Sequence, residues 1–280
     1  MITHSLPGVL DLIDRALAED IGDGDLTTEA TVPESARALA RIVLKEPGAV
    51  AGLDVAASVF QRVDPDLRFT PHGKEGAWRE PGLVADVAGR ARPILTGERV
   101  ALNFLQRLSG VATLTARFVQ AVEGTETRIL DTRKTTPGMR ALEKRAVAAA
   151  GGTSHRAGLY DAILVKENHI ALAGGVTEAV RRAKSAAPVG VWVEIECCTL
   201  GEVEEALAAG AQRLLLDNMD VEDLVAAAGR ARGRATTEAS GGVTLDSVRQ
   251  IAEAGVDFVS VGALTHSAPA VDLSLLLEPL

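Results

Sequence analysis

The sequence predicts an α/β protein in two parts: a mainly antiparallel sheet with helices on one face, then an incomplete or compact α/β barrel. Three observations carry this. From about Arg128 onward, strand-like and helix-like runs alternate. The predicted strands end near Asp131, Lys166, Glu196, Asp217, Ala239 and Gly262, positions 21 to 35 residues apart, which is the scale of one βα unit. Hydrophobic residues make up 47% of the 280 positions and aromatics only 3%, so the core is built from Ala, Val, Leu and Ile, which suits helices layered on a parallel sheet. A barrel is favoured over a doubly wound sheet because polar residues end every strand instead of clustering at one switch point. Eight strands usually take at least about 200 residues, and only residues 106–267 are available, so the barrel is expected to be incomplete.

Taken in order, VLDLIDRALAED places Val9, Leu12, Ile13, Ala16 and Leu17 on one helical stripe that stops near Gly22. IGDGDLTT is turn-like, closed by Thr27 and Thr28. The next stretch reads as strand, turn at Pro47-Gly48, strand and helix, and PDLRFTPHGKEGAWREPGLVADVAGRARPIL adds two strands around a polar loop. At Thr96 a long helical pattern begins and leads toward the second part. TRILD is a buried strand, and Pro137 and Gly138 punctuate the entry to an Ala-rich helix that runs to Gly151. ALAAGAQRLLLDN and IAEAGVDFVSVGA resemble each other, as βα repeats with short links do. The expected division is 1–105 for the first domain, joined by the tail 268–280, and 106–267 for the barrel.

A formal net charge of −9 argues against nucleic acid or an anionic membrane as partner. Cationic residues clustered in such a chain point to a small-anion site. The two cysteines, Cys197 and Cys198, are adjacent and lack metal-type spacing, which fits a reduced, cytoplasmic setting. The start lacks the basic and apolar regions of a signal peptide, and no run reaches membrane-spanning length.

Arg133, Lys134, His155, Arg156, Lys166 and His169 all fall at or just after predicted strand or helix ends, and together imply a substrate with several negative charges. Glu194 and Glu196 are read as facing opposite sides of one strand, which leaves Glu196 for the pocket and Glu194 as partner to a nearby cation. Asp217 ends the next strand, and the pair Glu196 and Asp217 suits Mg²⁺ or a developing cation. Ser240-Gly241-Gly242 and Val261-Gly262-Ala263 follow the last two strands, where barrels bind phosphate through backbone N–H groups. A Schiff-base role for Lys166 is the alternative for that residue. The cysteines read as core packing.

The segments ALAEDIGDGDLTTEATVP, ERVALNFLQRLSGVAT, DTRKTTPGMR, GGTSHRAGL, LVKENHI, VEIE, LLLDNM, EASGG and SVGALTHSAP, in that order, resemble the quinolinate phosphoribosyltransferase family over nearly the whole chain. HGKEGAWREPG departs from the shorter turn common there. The resemblance implies an N-terminal α/β sandwich and a C-terminal incomplete α/β barrel of the type II phosphoribosyltransferase kind, in a homodimer or a hexamer of dimers. It implies Mg²⁺-dependent transfer of phosphoribosyl from phosphoribosyl pyrophosphate to quinolinate, with loss of CO₂ and pyrophosphate, giving nicotinate mononucleotide for NAD synthesis. By the same resemblance Arg133, His155 and Arg156 hold the quinolinate carboxylates, and Lys134 and Lys166 neutralise charge near the ring and pyrophosphate. Glu196 and Asp217 face the ribose and Mg²⁺, while Ser240, Gly241, Gly262 and Ala263 cradle the 5-phosphate. Arg99 reaches the neighbouring subunit's site. A paralogue with another acceptor is expected to alter the set Arg133, His155 and Arg156, and a non-catalytic sensor has no need of Glu196 and Asp217.

Overall fold

The computed structural model describes residues 8–280. The chain forms two compact units: one from the described residues up to Ala116 with Thr135–Gly151 and Leu264–Leu280, the other from Arg117–Lys134 and Gly152–Ala263.

The first unit opens with α1 (Val9–Ile21), which ends at Gly22 and buries Val9, Ile13 and Leu17. The expected turn closed by Thr27 and Thr28 is instead a short helix, α2 (Leu26–Thr31). Asp25 explains it, because its carboxylate accepts from the Thr28 N–H and satisfies an otherwise orphaned donor. Strand β1 (Arg37–Leu44) buries every second residue, Ala38, Ala40, Ile42 and Leu44, as a sheet with one covered face requires. The two-residue β2 (Gly48–Ala49), α3 (Leu53–Val63) and β3 (Arg68–Pro71) follow. Inside the polar loop, β4 (Trp78–Arg79) pairs with β2, a contact too short to show in the sequence. Strand β5 (Gly82–Arg90) runs directly into α4 (Ala91–Ala121), which begins five residues before the expected Thr96. Pro93 lies within its first turn, where its missing N–H costs nothing.

The second unit takes up the chain within α4, at Arg117. It contains β6 (Arg128–Leu130); α5 (Arg140–Ala149) belongs to the first unit. Then strands and helices alternate: β7 (Ile163–Val165), α6 (Glu167–Ala173), α7 (Val176–Ala186), β8 (Val193–Cys197), α8 (Leu200–Ala208), β9 (Arg213–Asp217), α9 (Val221–Ala231), β10 (Thr236–Ser240), α10 (Val248–Glu253) and β11 (Phe258–Ser260). After α11 (Ala263–His266) the chain ends in β12 (Leu273–Pro279). That strand lies antiparallel on β1, giving the first unit a sheet in the order β12-β1-β5-β3.

The six strands of the second unit are all parallel, in the order β6-β11-β10-β9-β8-β7, so every strand points its C-terminal end to the same edge. The hydrogen-bonded sheet stays open between β6 and β7, an incomplete barrel. Register fixes what each face carries. Glu196 stands opposite Leu215, Leu215 opposite Glu238, and Glu238 opposite Phe258, so these four share one face. Alternation adds Glu194, Arg213, Asp217 and Ser240 to the same face. The other face presents Ile195, Leu214, Leu216 and Ala239, all buried, to α7, α8, α9 and α10. The barrel interior is therefore polar and charged, and the apolar core of this unit lies between sheet and helices.

In the first unit, a methyl group added at Gly110 of α4 would lie 2.1 Å from the Pro269 carbonyl oxygen. Gly110→Ala is therefore expected to destabilise by about 1–3 kcal/mol through overpacking, although the same change in an exposed helix would stabilise by about 1 kcal/mol. The midpoint of chemical denaturation checks the sign.

Candidate active site

The C-terminal edge of the barrel gathers most of the sequence's chemical candidates within the second unit. Lys166 follows β7 and reaches across to β8, where its Nζ lies 3.1 Å from Glu196 Oε2. The Glu167 N–H, 3.2 Å away, donates to the other Glu196 oxygen. Glu196 is buried while the Lys166 side chain is 52% exposed, so the ammonium is held at the rim and remains accessible. Asp217 ends β9 with its carboxylate accepting from Asn218 Nδ2 at 2.6 Å. Asn218 is the single non-glycine residue with positive φ among the described residues, at 54°, and its own N–H donates to Ser240 O at 2.9 Å.

Gly241 makes that turn possible. Its φ is 103°, and a Cβ there would lie 2.1 Å from Asn218 Oδ1. The ends of β9 and β10 are thus locked side by side, with Asp217 and Ser240 directly opposite each other. Gly262 follows β11, and Ala263 begins α11.

Arg133 and Lys134 lie three and four residues beyond β6, in a loop where the Lys134 N–H donates to Thr132 Oγ1 at 3.1 Å. Asp131, wholly buried at the end of the strand, accepts from the His155 backbone N–H at 2.9 Å, and Thr153 bridges to Leu130. These bonds tie the Arg133–Lys134 loop to the His155–Arg156 segment. Arg156 is buried and donates to Ala162 O at 3.1 Å. Burial first, then the nearby charge of Arg133, holds its guanidinium below the usual arginine range. Two guanidinium groups close enough to oppose each other form a place where an anion is favoured.

Three expectations are corrected. Glu194 and Glu196 do not diverge, since residues two apart on a strand share a face, and both carboxylates are buried in the interior. They differ in depth: Glu194 lies nearer the start of β8 and Glu196 nearer its end. His169 does not join the cationic cluster; its Nδ1 accepts from the Lys166 N–H at 2.9 Å and caps α6. The His155 ring points down into the barrel, with Nε2 3.0 Å from Glu194 Oε2 and 3.4 Å from Glu238 Oε2.

Sequence reasoning passed over Glu238, Arg213 and Trp192. Arg213 lies 3.6 Å from Glu194 and 4.0 Å from Glu238, over the rings of Trp192 and Phe258 at 4.3 and 5.5 Å. The signal was present, because a Glu or Arg within an otherwise β-forming run such as TTEAS must find a charged partner. By distance alone His155, Glu194 and Glu238 would suit a metal ion. The guanidinium of Arg213 already supplies positive charge there. Cys197 is buried, and burial above all pushes its thiol up to about 12; Cys198 is raised as well, chiefly by its own partial burial, so neither is poised as a nucleophile.

Arg99 lies on an exposed part of α4 in the first unit. Within that first unit, Glu143 is fully buried, accepting from the Thr136 N–H at 3.0 Å and from its hydroxyl at 2.8 Å. Arg107 neutralises Glu143 at 2.8 Å and also donates to the carbonyls of Thr265 and Ala268.

Residues 25–109 match the family model for the quinolinate phosphoribosyl transferase N-terminal domain, and residues 111–276 match that for the C-terminal domain. The chain is 42% identical over 296 residues to a chloroplastic nicotinate-nucleotide pyrophosphorylase (carboxylating) of Oryza sativa, covering 99% of this chain and 78% of that protein. It is 41% identical to quinolinate phosphoribosyltransferase (decarboxylating) 1b of Nicotiana tabacum, over 99% of this chain and 83% of the relative. Among solved structures, a nicotinate-nucleotide pyrophosphorylase from Francisella tularensis superimposes with a TM-score of 0.94 at 40% identity, over 98% of each chain.

Burial opposes charge on the His155 imidazole, and the Arg156 N–H, 2.8 Å from Nδ1, opposes it further. Two adjacent carboxylates outweigh a single amide dipole, and Glu194 and Glu238 push the imidazole up to about 9. Its folded value thus lies above the unfolded one, so the stability it contributes is complete below about pH 6.5 and is lost as pH rises through about 9. An NMR titration of the His155 ring with a midpoint near 9 is expected, together with a falling unfolding free energy over that window that His155→Gln abolishes. A ring neutral throughout would overturn the assignment.

Proposed function

The chain belongs to the quinolinate phosphoribosyltransferase family, and on that footing we propose that it transfers phosphoribosyl from phosphoribosyl pyrophosphate to quinolinate with decarboxylation. The products are nicotinate mononucleotide, CO₂ and pyrophosphate, in de novo NAD synthesis. The observation that carries this reading is the barrel edge, where Lys166 meets Glu196, Asp217 ends the next strand, and Arg133, Lys134 and Arg156 lie on the segments that follow β6, in a chain of net charge −9. Cations so placed in an acidic protein suit two polyanionic substrates.

Arg133 and Arg156 take the quinolinate carboxylates, for which a planar guanidinium is matched in geometry. His155 serves that set from below, its ring held on the interior carboxylates while its backbone fixes Arg156. Lys134 and Lys166 offset negative charge at the ring and at the departing pyrophosphate. Glu196, oriented by Lys166 and the Glu167 N–H, and Asp217, oriented by Asn218, lie where positive charge develops on the ribose carbon. Ser240, Gly241, Gly262 and Ala263 offer backbone to the 5-phosphate.

Mg²⁺ usually takes one or two carboxylates and completes its shell from water and substrate phosphates. Glu196 and Asp217, hard oxygen donors at the ends of paired strands, fit such an ion, directly or through water. When bound, it supplies neutralisation of the pyrophosphate charge. Decarboxylation needs no dedicated acid or base, because the ribosylated, cationic ring nitrogen accepts the electron pair of the breaking C–C bond. Positioning and electrostatics carry the reaction.

We place the protein in the cytoplasm as a homodimer, with hexamer formation a further assembly step, and with Arg99 completing the site of the neighbouring subunit. No helix among the described residues is long and apolar enough to cross a membrane.

Purified protein is expected to release labelled CO₂ from carboxyl-labelled quinolinate only with both phosphoribosyl pyrophosphate and Mg²⁺ present. Release without the former, or none from folded protein, would sink the proposal. Lys134→Ala and Glu196→Ala should each lower turnover by about 10²-fold, the scale of one preorganised electrostatic group. Arg99→Ala and Glu196→Ala chains, each weakly active alone, should regain activity when mixed; mixtures that stay at the level of the parents would place Arg99 outside the shared site.

A further inference from the structure

At the N-terminal ends of β8 and β9, remote along the strands from the edge that bears Glu196 and Asp217, the second unit contains a pocket of about 400 Å³. Its walls include Val180, Pro188, Val191 and Ile195, and its polar groups include Lys184 and Arg213, with no Asp or Glu in the lining. That volume falls in the range of small-molecule sites, and the pattern of apolar walls with a few convergent polar groups is typical of them.

The two cations are held in different ways. The Lys184 ammonium donates to Gly210 O at 2.7 Å, which leaves two of its three donor positions. Gly210 is left-handed, with φ 81°, and a Cβ there would lie 2.8 Å from Lys184 Nζ, so the absence of a side chain keeps room for the ammonium. Arg213 is oriented by Trp192 and Phe258, and its nearest carboxylates, 3.6 and 4.0 Å away, lie beyond hydrogen-bond reach. Its buried Nε has no hydrogen-bond partner among the described residues. A guanidinium packed on apolar rings with an Nε–H that lacks a hydrogen-bond partner favours a planar oxyanion.

We propose that this pocket is a second binding site, distinct from the one at the opposite strand ends, for a small monocarboxylate with an apolar body. The carboxylate sits between Lys184 and Arg213, and the hydrocarbon part lies against Val180, Val191 and Ile195. The proposal stands apart from the reaction assigned above, and its test does not use that reaction.

The chain has two tryptophans, Trp78 and Trp192, so two indole N–H signals report on it and Trp78→Phe assigns them. Titrating the full chain with benzoate should shift the Trp192 signal saturably and leave the Trp78 signal in place, while benzamide, its neutral counterpart, should not shift Trp192. Lys184→Ala should weaken benzoate by about tenfold or more, as expected for loss of one charge-assisted bond. Arg133→Ala, at the other end of the barrel, should leave its affinity unchanged. The proposal is overturned if Trp192 shows no saturable shift, if benzamide acts equally, or if affinity depends on Arg133 and not on Lys184.

Discussion

Two buried carboxylates in the barrel interior set the terms for much of the second unit. Glu194 and Glu238 are 1% exposed, and a bare carboxylate at such depth costs several kcal/mol. His155 from above and Arg213 from below make that burial tolerable. One consequence is that the segment carrying His155 and Arg156 is anchored by an interior charge balance as well as by its backbone bonds to Asp131. Deleting any one member leaves the others uncompensated in a low-dielectric space, so these four groups behave as a unit.

Above that layer the same strand geometry is put to a different use. Parallel register brings Glu196 and Asp217 to one edge, where Lys166 and Asn218 orient them and the Lys166 ammonium, not the buried Glu196 carboxylate, meets solvent. A short vertical step along β8 thus separates a carboxylate balanced by His155 and Arg213 in the interior from one held at the rim by Lys166. The distinction lies in depth along the strand, since both residues face the interior.

Much of this was legible in the chain. Strand ends at Asp131, Lys166, Glu196 and Asp217 announced themselves because a β-forming run cannot absorb a charge without a reason, and the structure places each at or beside the end of a strand. The stripe of Val9, Ile13 and Leu17 and its stop at Gly22 were readable from period alone. What stayed hidden depended on partners distant in sequence. Glu238 and His155 are 83 residues apart, and no local pattern declares that pairing. His169 looked like a ligand and serves as a cap, because a polar residue three positions into a helix has a nearby backbone donor to satisfy. The faces of Glu194 and Glu196 were misjudged through an error in period, which the ladder register corrects.

The sheet of the first unit carries a condition on the order of events in biosynthesis. Strand β12 hydrogen-bonds to β1 across 228 to 240 intervening positions in sequence, from Leu44 paired with Leu273 to Ala38 paired with Pro279. A nascent chain therefore holds β1 with one edge unsatisfied throughout synthesis of the entire parallel sheet, whose strands all come from consecutive segments. Such an edge is a template for pairing with another copy. The polypeptide has reason to complete its second unit early and to keep β1 shielded until β12 emerges to pair with it.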